Sequence, residues 1–368
     1  MLLRLPPLGV QGRRGGRPRE GFAQATKIGD RFGDPQLIAL GRVGEGRCRI
    51  YLGEIVAGMA LLDEAMVAIT AHEVSPAAVG DLYCTVIEGC QEVFDVRRAQ
   101  EWTAALSRWC DSQPELVLYR GQCLVHRAEL MLFGGAWADA VAEVQRACDR
   151  LARPTSQPAL GAAHYVRAEL HRLRGEFAEA EVAYRKANQW GRQPQPGLAQ
   201  LRLAQGRVDE AHATMRRVLN EAEDVVTRSR MLGPYVEIAL GGGDVAAARG
   251  AAEELSRIAA VWSTPFLSAL SSRATGSVLL AEGDARAVLA AFRRAGAGWG
   301  EGRAIRRGAF PRADRACLPG TGRRGQRTDG ARRRAVGIPA TRRGSRPRPR
   351  RGTVSDFKAD GDLLAEPV

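Results

Sequence analysis

Histidine and cysteine have the widest chemical range among the side chains of this sequence, and their spacing argues against catalysis. Five His and seven Cys are spread over 368 residues. His164 and His171 lie seven residues apart on one predicted helix, too far apart to share a zinc ion. The sequence has no His-Glu-x-x-His and no Cys-x-x-Cys pattern. We therefore expect no metal site and no catalytic residue, and we predict that the chain is not an enzyme.

Loops that could hold a phosphate group or a nucleotide cofactor are also missing. The sequence has no Gly-Lys dipeptide, so it cannot form a Gly-x-x-x-x-Gly-Lys loop. No strand is predicted before the Gly-rich run Gly296–Gly300, which excludes a dinucleotide fingerprint there. Six of the seven Cys fall in predicted helices, where we expect buried, reduced thiols. We predict no cofactor, which leaves noncovalent binding as the expected chemistry.

The positive charge is concentrated at the two ends of the chain. The formal net charge is +13, but residues 296–354 contain 17 Arg, no Lys and three acidic residues. Residues 1–20 contain five Arg and one Glu, and residues 21–295 are close to neutral. The overall charge therefore does not indicate a body that binds nucleic acid. Because no apolar run approaches the roughly 20 residues that a membrane helix needs, we expect no membrane segment and a cytoplasmic location.

A repeated phrase with helical spacing organises the body of the chain. A turn residue, usually Gly, is followed by an apolar residue at offset two, a small residue at offset five and an apolar residue at offset 12. These offsets fall on one stripe of a helix. The turn residues are separated by 41, 41, 40, 31, 37 and 40 residues, and they are Gly53, Phe94, Gly135, Gly175, Gly206, Gly243 and Gly283. The small residues at offset five include Ala140, Ala180, Ala211 and Ala248.

Each phrase predicts a hairpin of two helices. A Gly can end the first helix in the left-handed conformation at little cost, and the small residue lets the second helix approach closely. One hairpin buries little surface, so seven hairpins must stack on one another. We predict an all-α fold, a right-handed superhelical solenoid of about seven hairpins over residues 21–295. A disordered basic segment (1–20) precedes it, and a disordered Arg/Gly/Pro-rich tail (296–368) follows it.

The pattern resembles the tetratricopeptide repeat in a lengthened and degenerate form. Gly175, Phe177, Ala180 and Ala187 match that repeat best, although the period is near 40 instead of about 34 and the Trp early in the first helix is missing. The phrases at 51–66 and 167–187 are similar to the sensor solenoid of the large ATP-binding LuxR-type transcriptional regulators of actinobacteria, relatives of the maltose regulator.

The resemblance implies a sensor function without enzymatic activity. A protein or a small-molecule inducer would bind in the concave groove of the solenoid. DNA would be contacted only through a helix-turn-helix domain that this chain lacks, together with the nucleotide-binding module of such regulators. The chain would then be a truncated regulator.

Seven residues before each turn, the first helix has another position that is mostly small. In repeats of this type, the position after it tends to face the concave groove. Here the residues at that position are Arg47, Glu88, Glu129, Glu169, Gln200, Glu237 and Ser277. The five residues from Glu88 to Glu237 form a predicted ladder that would suit a basic peptide or a polar ligand. Tyr165 and Arg172 flank the same groove as candidate anchors. The alternative is a solvated helix face with local ion pairs.

Two further functions stay open. The chain could be a free-standing repeat scaffold for protein–protein contacts. It could also bind nucleic acid by neutralising phosphates with its Arg-rich tail. The composition of that tail, Arg, Gly and Pro without Lys before residue 358, is equally typical of a shifted reading frame in a GC-rich gene.

Overall fold

The computed structural model describes residues 16–113, 117–152 and 159–301, which form fifteen α-helices and no strand. Helix α1 (Gly16–Phe32) precedes seven hairpins. Hairpins 1 to 4 are α2 (Pro35–Tyr51) with α3 (Ile55–Thr70), α4 (Pro76–Glu92) with α5 (Val96–Ser112), α6 (Val117–Phe133) with α7 (Trp137–Leu151), and α8 (Ala159–Arg174) with α9 (Phe177–Gln189). Hairpins 5 to 7 are α10 (Gly197–Ala204) with α11 (Val208–Glu221), α12 (Val225–Gly241) with α13 (Val245–Trp262), and α14 (Pro265–Ala281) with α15 (Ala285–Glu301). All of them belong to one compact unit, residues 1–315, and the second unit, 316–368, lies outside the described residues.

The seven hairpin turns share one backbone geometry. Six have Gly at the turn position, with φ between +74° and +85°. The residue after each turn donates its N–H to the carbonyl five residues earlier, as Glu176 does to His171 at 2.9 Å and Asp244 does to Ala239 at 2.9 Å. This is the Schellman ending of a helix. In every hairpin the second helix begins at the predicted apolar position, offset two from the turn. The prediction of seven helical hairpins is confirmed.

The small residues at offset five set the distance between paired helices. The five alanines at this position, in hairpins 2 to 6, are wholly buried. In hairpin 1 the position is Gly58, and a Cβ added there would lie 2.7 Å from the backbone oxygen of Gly46. The two helices of this hairpin therefore touch backbone to backbone, which only glycine permits at both sites.

The first helices of the hairpins form an inner layer. Each second helix packs between its own first helix and the first helix of the next hairpin, while the first helices of neighbouring hairpins also contact one another. Within the described residues, no comparable packing joins one second helix to the next. The first helices therefore line the concave side, and the second helices form the convex side.

The two ends of the array meet. Thr264, just before α14, donates its hydroxyl to the carbonyl of Val93 at the end of α4, at 3.3 Å. Phe94 stacks on Phe266 at the same place, with ring centroids 6.1 Å apart. One buried apolar cluster joins hairpins 1–3 to hairpins 5–7. The array thus coils back on itself, so that the turns of its first hairpins abut the connections between its last ones.

The helical region is longer than predicted at both ends. Helix α1 begins at Gly16, inside the segment 1–20 that we predicted to be disordered, and its Phe22 ring packs against Gly44 of α2. Helix α15 continues to Glu301, past the predicted solenoid end at residue 295, because extending a formed helix costs less than starting one. Residues 1–15 and the rest of the predicted tail, 302–368, lie outside the described residues. In the described part of the chain, no helix has both the length and the apolar character that crossing a bilayer requires.

Candidate ligand groove

The predicted ladder residues lie on five consecutive first helices. They are Glu88 on α4, Glu129 on α6, Glu169 on α8, Gln200 on α10 and Glu237 on α12. Three of them, Glu129, Gln200 and Glu237, take part in hydrogen bonds between neighbouring hairpins. Gln91 of α4 donates its Nε2 to Glu129 Oε2 at 2.9 Å, and Gln200 Nε2 donates to Glu237 Oε2 at 3.1 Å. The stripe therefore follows the inner layer from hairpin to hairpin.

Three of the four ladder carboxylates have a cationic partner. Arg172 Nη2 lies 2.6 Å from Glu169 Oε2, Arg273 pairs with Glu237, and His126 Nδ1 lies 3.6 Å from Glu129 Oε2. These contacts are the local ion pairs of the alternative interpretation. They compensate much of the negative charge that would attract a basic peptide. That the ladder residues bind a ligand stays a prediction.

Glu88 is the ladder carboxylate without such a partner. Its side chain is exposed to water and forms no hydrogen bond or ion pair with another described residue. Burial nevertheless raises the pKa of Glu88, while the charges of Arg47 and His126 lower it. A side chain that is exposed to water and yet surrounded by protein is typical of a narrow groove. Glu88 therefore marks an accessible position inside the groove.

A buried ion pair occupies the ladder position of hairpin 1. Arg47 is 6% exposed, and its Nη1 and Nη2 lie 2.6 Å and 2.9 Å from the two carboxylate oxygens of Glu92 on α4. Tyr51 donates its hydroxyl to the same carboxylate at 2.9 Å, and the Arg47 guanidinium lies over the Tyr51 ring. Forked, charge-assisted contacts of this kind are strong and directional. Arg47 therefore joins hairpins 1 and 2.

The two candidate anchors lie on α8, on either side of Glu169. The Tyr165 ring packs edge-on against Tyr184, with centroids 5.7 Å apart, and the Arg192 guanidinium lies over it, 5.1 Å from its centroid. Arg172 is engaged by Glu169, and Tyr184 donates its hydroxyl to the other oxygen of Glu169. Tyr165 is thus held by aromatic and cationic neighbours, while Arg172 is already paired.

Sequence reasoning missed two arginines of this groove, Arg192 and Arg230. Arg230 lies seven residues before Glu237 on α12, so the helical spacing of the ladder could have found it. Arg192 lies in the connection between α9 and α10, where no helical period exists. That connection reaches the inner layer because α10 has only 8 residues, whereas the other six first helices have 16 or 17.

The cysteines and histidines are built into the packing of the helices. The six Cys in the described residues are buried and free, as predicted, and Cys317 lies outside them. Burial opposes protonation of His126, but the neighbouring Cys84 and Glu129 side chains raise its pKa well above the usual range. Burial lowers the pKa of His164 to about 4. In the part of the chain that the structure describes, no group of these residues could hold a metal ion.

The chain matches no protein-family model, and no curated protein is similar to it. Among solved structures, it is similar to a tetratricopeptide repeat protein from Parabacteroides merdae, at 15% sequence identity and a TM-score of 0.38. This similarity covers 77% of the present chain and 93% of the other. The description of the chain as a solenoid of tetratricopeptide-like hairpins rests on its own seven turns and helix pairs.

Proposed function

We propose that the chain is a binding solenoid that holds a peptide segment of a partner protein in the groove lined by its first helices. The observation that carries this proposal is Glu88, a carboxylate that is open to water inside the inner layer and has no partner among the described residues. A groove of neighbouring first helices offers polar groups along its length at regular spacing, which suits an extended ligand. The chemistry is noncovalent.

We further propose that the solenoid is the sensor region of a LuxR-type regulator, with a protein or a small-molecule inducer as its ligand. The support is the period near 40 and the phrases at 51–66 and 167–187. Translating the encoding DNA in all frames tests this origin. A second frame that continues the repeats into a helix-turn-helix after residue 301 is expected. If the DNA downstream of this codon encodes neither repeats nor a helix-turn-helix in any frame, the regulator proposal is wrong, and a free-standing scaffold is the better description.

The binding function is tested by selecting ligands from a random peptide display library on the immobilised chain. Affinities of the selected peptides are then measured by calorimetry for the wild type and for Glu88→Lys. The control is Glu101→Lys, which makes the same change of charge on the convex side, where Glu101 of α5 pairs with exposed Arg97. We expect at least a tenfold change in affinity with Glu88→Lys and none with the control. Equal affinities for all three proteins would contradict binding in the groove.

A further inference from the structure

The solenoid departs from its regular repeat at hairpin 5. The turns at Gly175 and Gly206 are 31 residues apart, whereas the other successive turns are 37 to 41 residues apart. Helix α10 has 8 residues, while the other six first helices have 16 or 17. Residues 190–196, which correspond in position to the first half of a full-length first helix, form a connection without helix. Hairpin 5 therefore lacks about half of its first helix.

In hairpin 6, the first half of the first helix fills the space between two second helices. Arg228 of α12 donates to the Leu219 carbonyl at the end of α11 and to the Glu254 carboxylate of α13, at 2.7 Å and 2.8 Å. The corresponding space between α9 and α11 is a cavity of about 550 Å³. We call it the lateral cavity. Its volume lies in the range of roughly 300–1,000 Å³ that is usual for ligand pockets.

The lateral cavity lies on the outer side of the solenoid and is rich in side-chain amides. Helices α9 and α11 form its walls, and α10 with the connection before it forms its floor. Asn188, Gln189 and Gln193 line it, and their side chains form no hydrogen bond with another described residue. Gln195 also lines it and accepts the N–H of Ala199 at 3.1 Å. A side-chain amide both donates and accepts hydrogen bonds, as the peptide group of a main chain does.

The lining of the lateral cavity has an excess of positive charge, with three Arg and two Glu. Arg202 engages both carboxylate oxygens of Glu181, at 3.1 Å and 2.8 Å. Arg185 lies one turn after Glu181 on α9, and Arg217 lies on the facing wall, α11. Both are exposed, and neither forms an ion pair or a side-chain hydrogen bond with another described residue. Each is next to a further exposed cation in the sequence.

A second cavity shows that this lining is not general on the outer side. It lies between α13 and α14, where the first helix has its full length, and its volume is about 370 Å³. Its lining contains two Arg and two Glu and, among the described residues, no side-chain amide. Arg249 of α13 pairs with Glu282 there. The charges are balanced in this cavity, whereas the lateral cavity combines amides with two unpaired guanidinium groups.

We propose that the lateral cavity binds an acidic segment of a partner protein in an extended conformation. The free side-chain amides hydrogen-bond to the main chain of the segment. Arg185 and Arg217 pair with its carboxylates from opposite walls, because guanidinium forks match the planar geometry of a carboxylate. Six of the fourteen lining residues are exposed, so the cavity is open enough for a chain to enter and leave. The site is separate from the groove of the proposed function, since second helices form its walls.

Calorimetry at low salt tests the site on the full chain. The probes are a synthetic peptide of alternating Gly and Glu and a neutral peptide of alternating Gly and Gln. Arg185→Gln/Arg217→Gln removes two cations from the walls, and Asn188→Trp fills the cavity without changing the charge. The control, Arg108→Gln/Arg257→Gln, removes two charges from exposed positions of α5 and α13. Circular dichroism checks the helix content of every variant.

We expect the acidic peptide to bind the wild type at least tenfold more tightly than the neutral one does. Both cavity variants should bind the acidic peptide tenfold or more weakly, and the control should bind it like the wild type. The proposal is overturned if the acidic peptide does not bind the wild type. It is also overturned if Asn188→Trp binds as the wild type does, because the arginines would then act only by attraction at the surface. Displacement of the peptide by an equimolar amount of glutarate would overturn the assignment to a protein segment.

Two variants separate this site from the groove. Glu88→Lys should leave the affinity for the acidic peptide unchanged, and Asn188→Trp should leave the affinity for the display-selected peptides unchanged. If the selected peptides respond to Asn188→Trp and not to Glu88→Lys, the lateral site stands and the groove function is wrong. If they respond only to Glu88→Lys and the acidic peptide does not bind, the groove function stands and the lateral site is wrong.

Discussion

Phe94 and Phe266 stack with ring centroids 6.1 Å apart and planes inclined by 19°, although one closes the second hairpin and the other begins the last. Phe94 has a φ of +60°, at the turn position where the six other hairpins have glycine. The left-handed conformation costs a non-glycine residue roughly 1–2 kcal/mol. Trp262 lies on the same ring, with centroids 6.4 Å apart. The turn that departs from glycine is thus the one whose side chain joins the two ends of the array.

Replacing Phe94 should show two opposing effects. Phe94→Ala removes the aromatic contacts and keeps the backbone strain, so we expect a loss of about 2–3 kcal/mol in the free energy of unfolding, less than the cost for a fully buried Phe. Phe94→Gly removes the same contacts but relieves the strain, so it should be more stable than Phe94→Ala by about 1 kcal/mol. Urea denaturation followed by circular dichroism measures both.

The control for this pair is Gly175→Ala, at a turn with a φ of +79° and open space around the added Cβ. It introduces the strain alone and should cost about 1–2 kcal/mol. A Phe94→Gly protein more stable than the wild type would show that the contact between the ends contributes less than the strain of the turn.

Two helical glycines should respond in opposite directions to alanine. Gly58→Ala places a Cβ 2.7 Å from the Gly46 backbone oxygen, which cannot rotate away, so we expect a loss of about 1–3 kcal/mol. Gly250→Ala, in the exposed middle of α13 with nothing within 4 Å of the new Cβ, should gain about 0.5–1 kcal/mol. Thermal and urea unfolding of both variants measure this. Equal effects at the two sites would mean that α2 and α3 are not in backbone contact.

Removing one partner of the Arg47–Glu92 pair should lower the free energy of unfolding strongly, whereas replacing both partners should lower it little. Arg47→Met leaves the Glu92 carboxylate, whose side chain is 12% exposed, without its cation, and we expect a loss of about 3–5 kcal/mol. The double variant Arg47→Met/Glu92→Leu should recover most of that loss, because it removes both buried charges. A double-mutant cycle in urea gives the coupling. Additive losses would show that the two side chains do not interact.

His164 should make the stability of the chain depend on pH. Its pKa is about 4 in the folded chain and about 6.5 when unfolded, so the unfolded state takes up a proton first as the pH falls. Stability should therefore fall between about pH 6.5 and pH 4, by roughly 2 kcal/mol from pH 7 to pH 5. His164→Leu should lack this part of the pH dependence, while His72→Asn, at an exposed turn, should keep it. Parallel curves for the wild type and His164→Leu would contradict the burial of an uncharged His164.

The repeat could be predicted from the sequence because each hairpin depends on local chemistry. Gly175 predicts a left-handed helix end, Phe177 the first residue of α9, and Ala180 the close contact, and all three are found in place. The contact between Phe94 and Phe266 could not be predicted, because it depends on how small rotations between hairpins add up along the array. No local sequence pattern indicates the total rotation along the array.

The groove was predicted less completely than the hairpins. Glu129 and Glu237 lie on the predicted helices, but the predicted ladder did not include their cationic partners. His126 lies three residues before Glu129, and Arg273 lies about one repeat after Glu237. Arg192 enters the groove because α10 is short, and a shortened repeat leaves a connection whose path the sequence pattern does not describe.

Photocrosslinking tests most directly the claim that the inner layer of first helices binds a ligand. A photoreactive amino acid is placed at position 88 in one protein and at position 108, on an exposed face of α5, in another. Both are irradiated with a display-selected peptide and analysed by mass spectrometry. We expect a crosslink from position 88 that excess unlabelled peptide suppresses, and none from position 108. Crosslinking from position 108 alone would contradict binding in the groove.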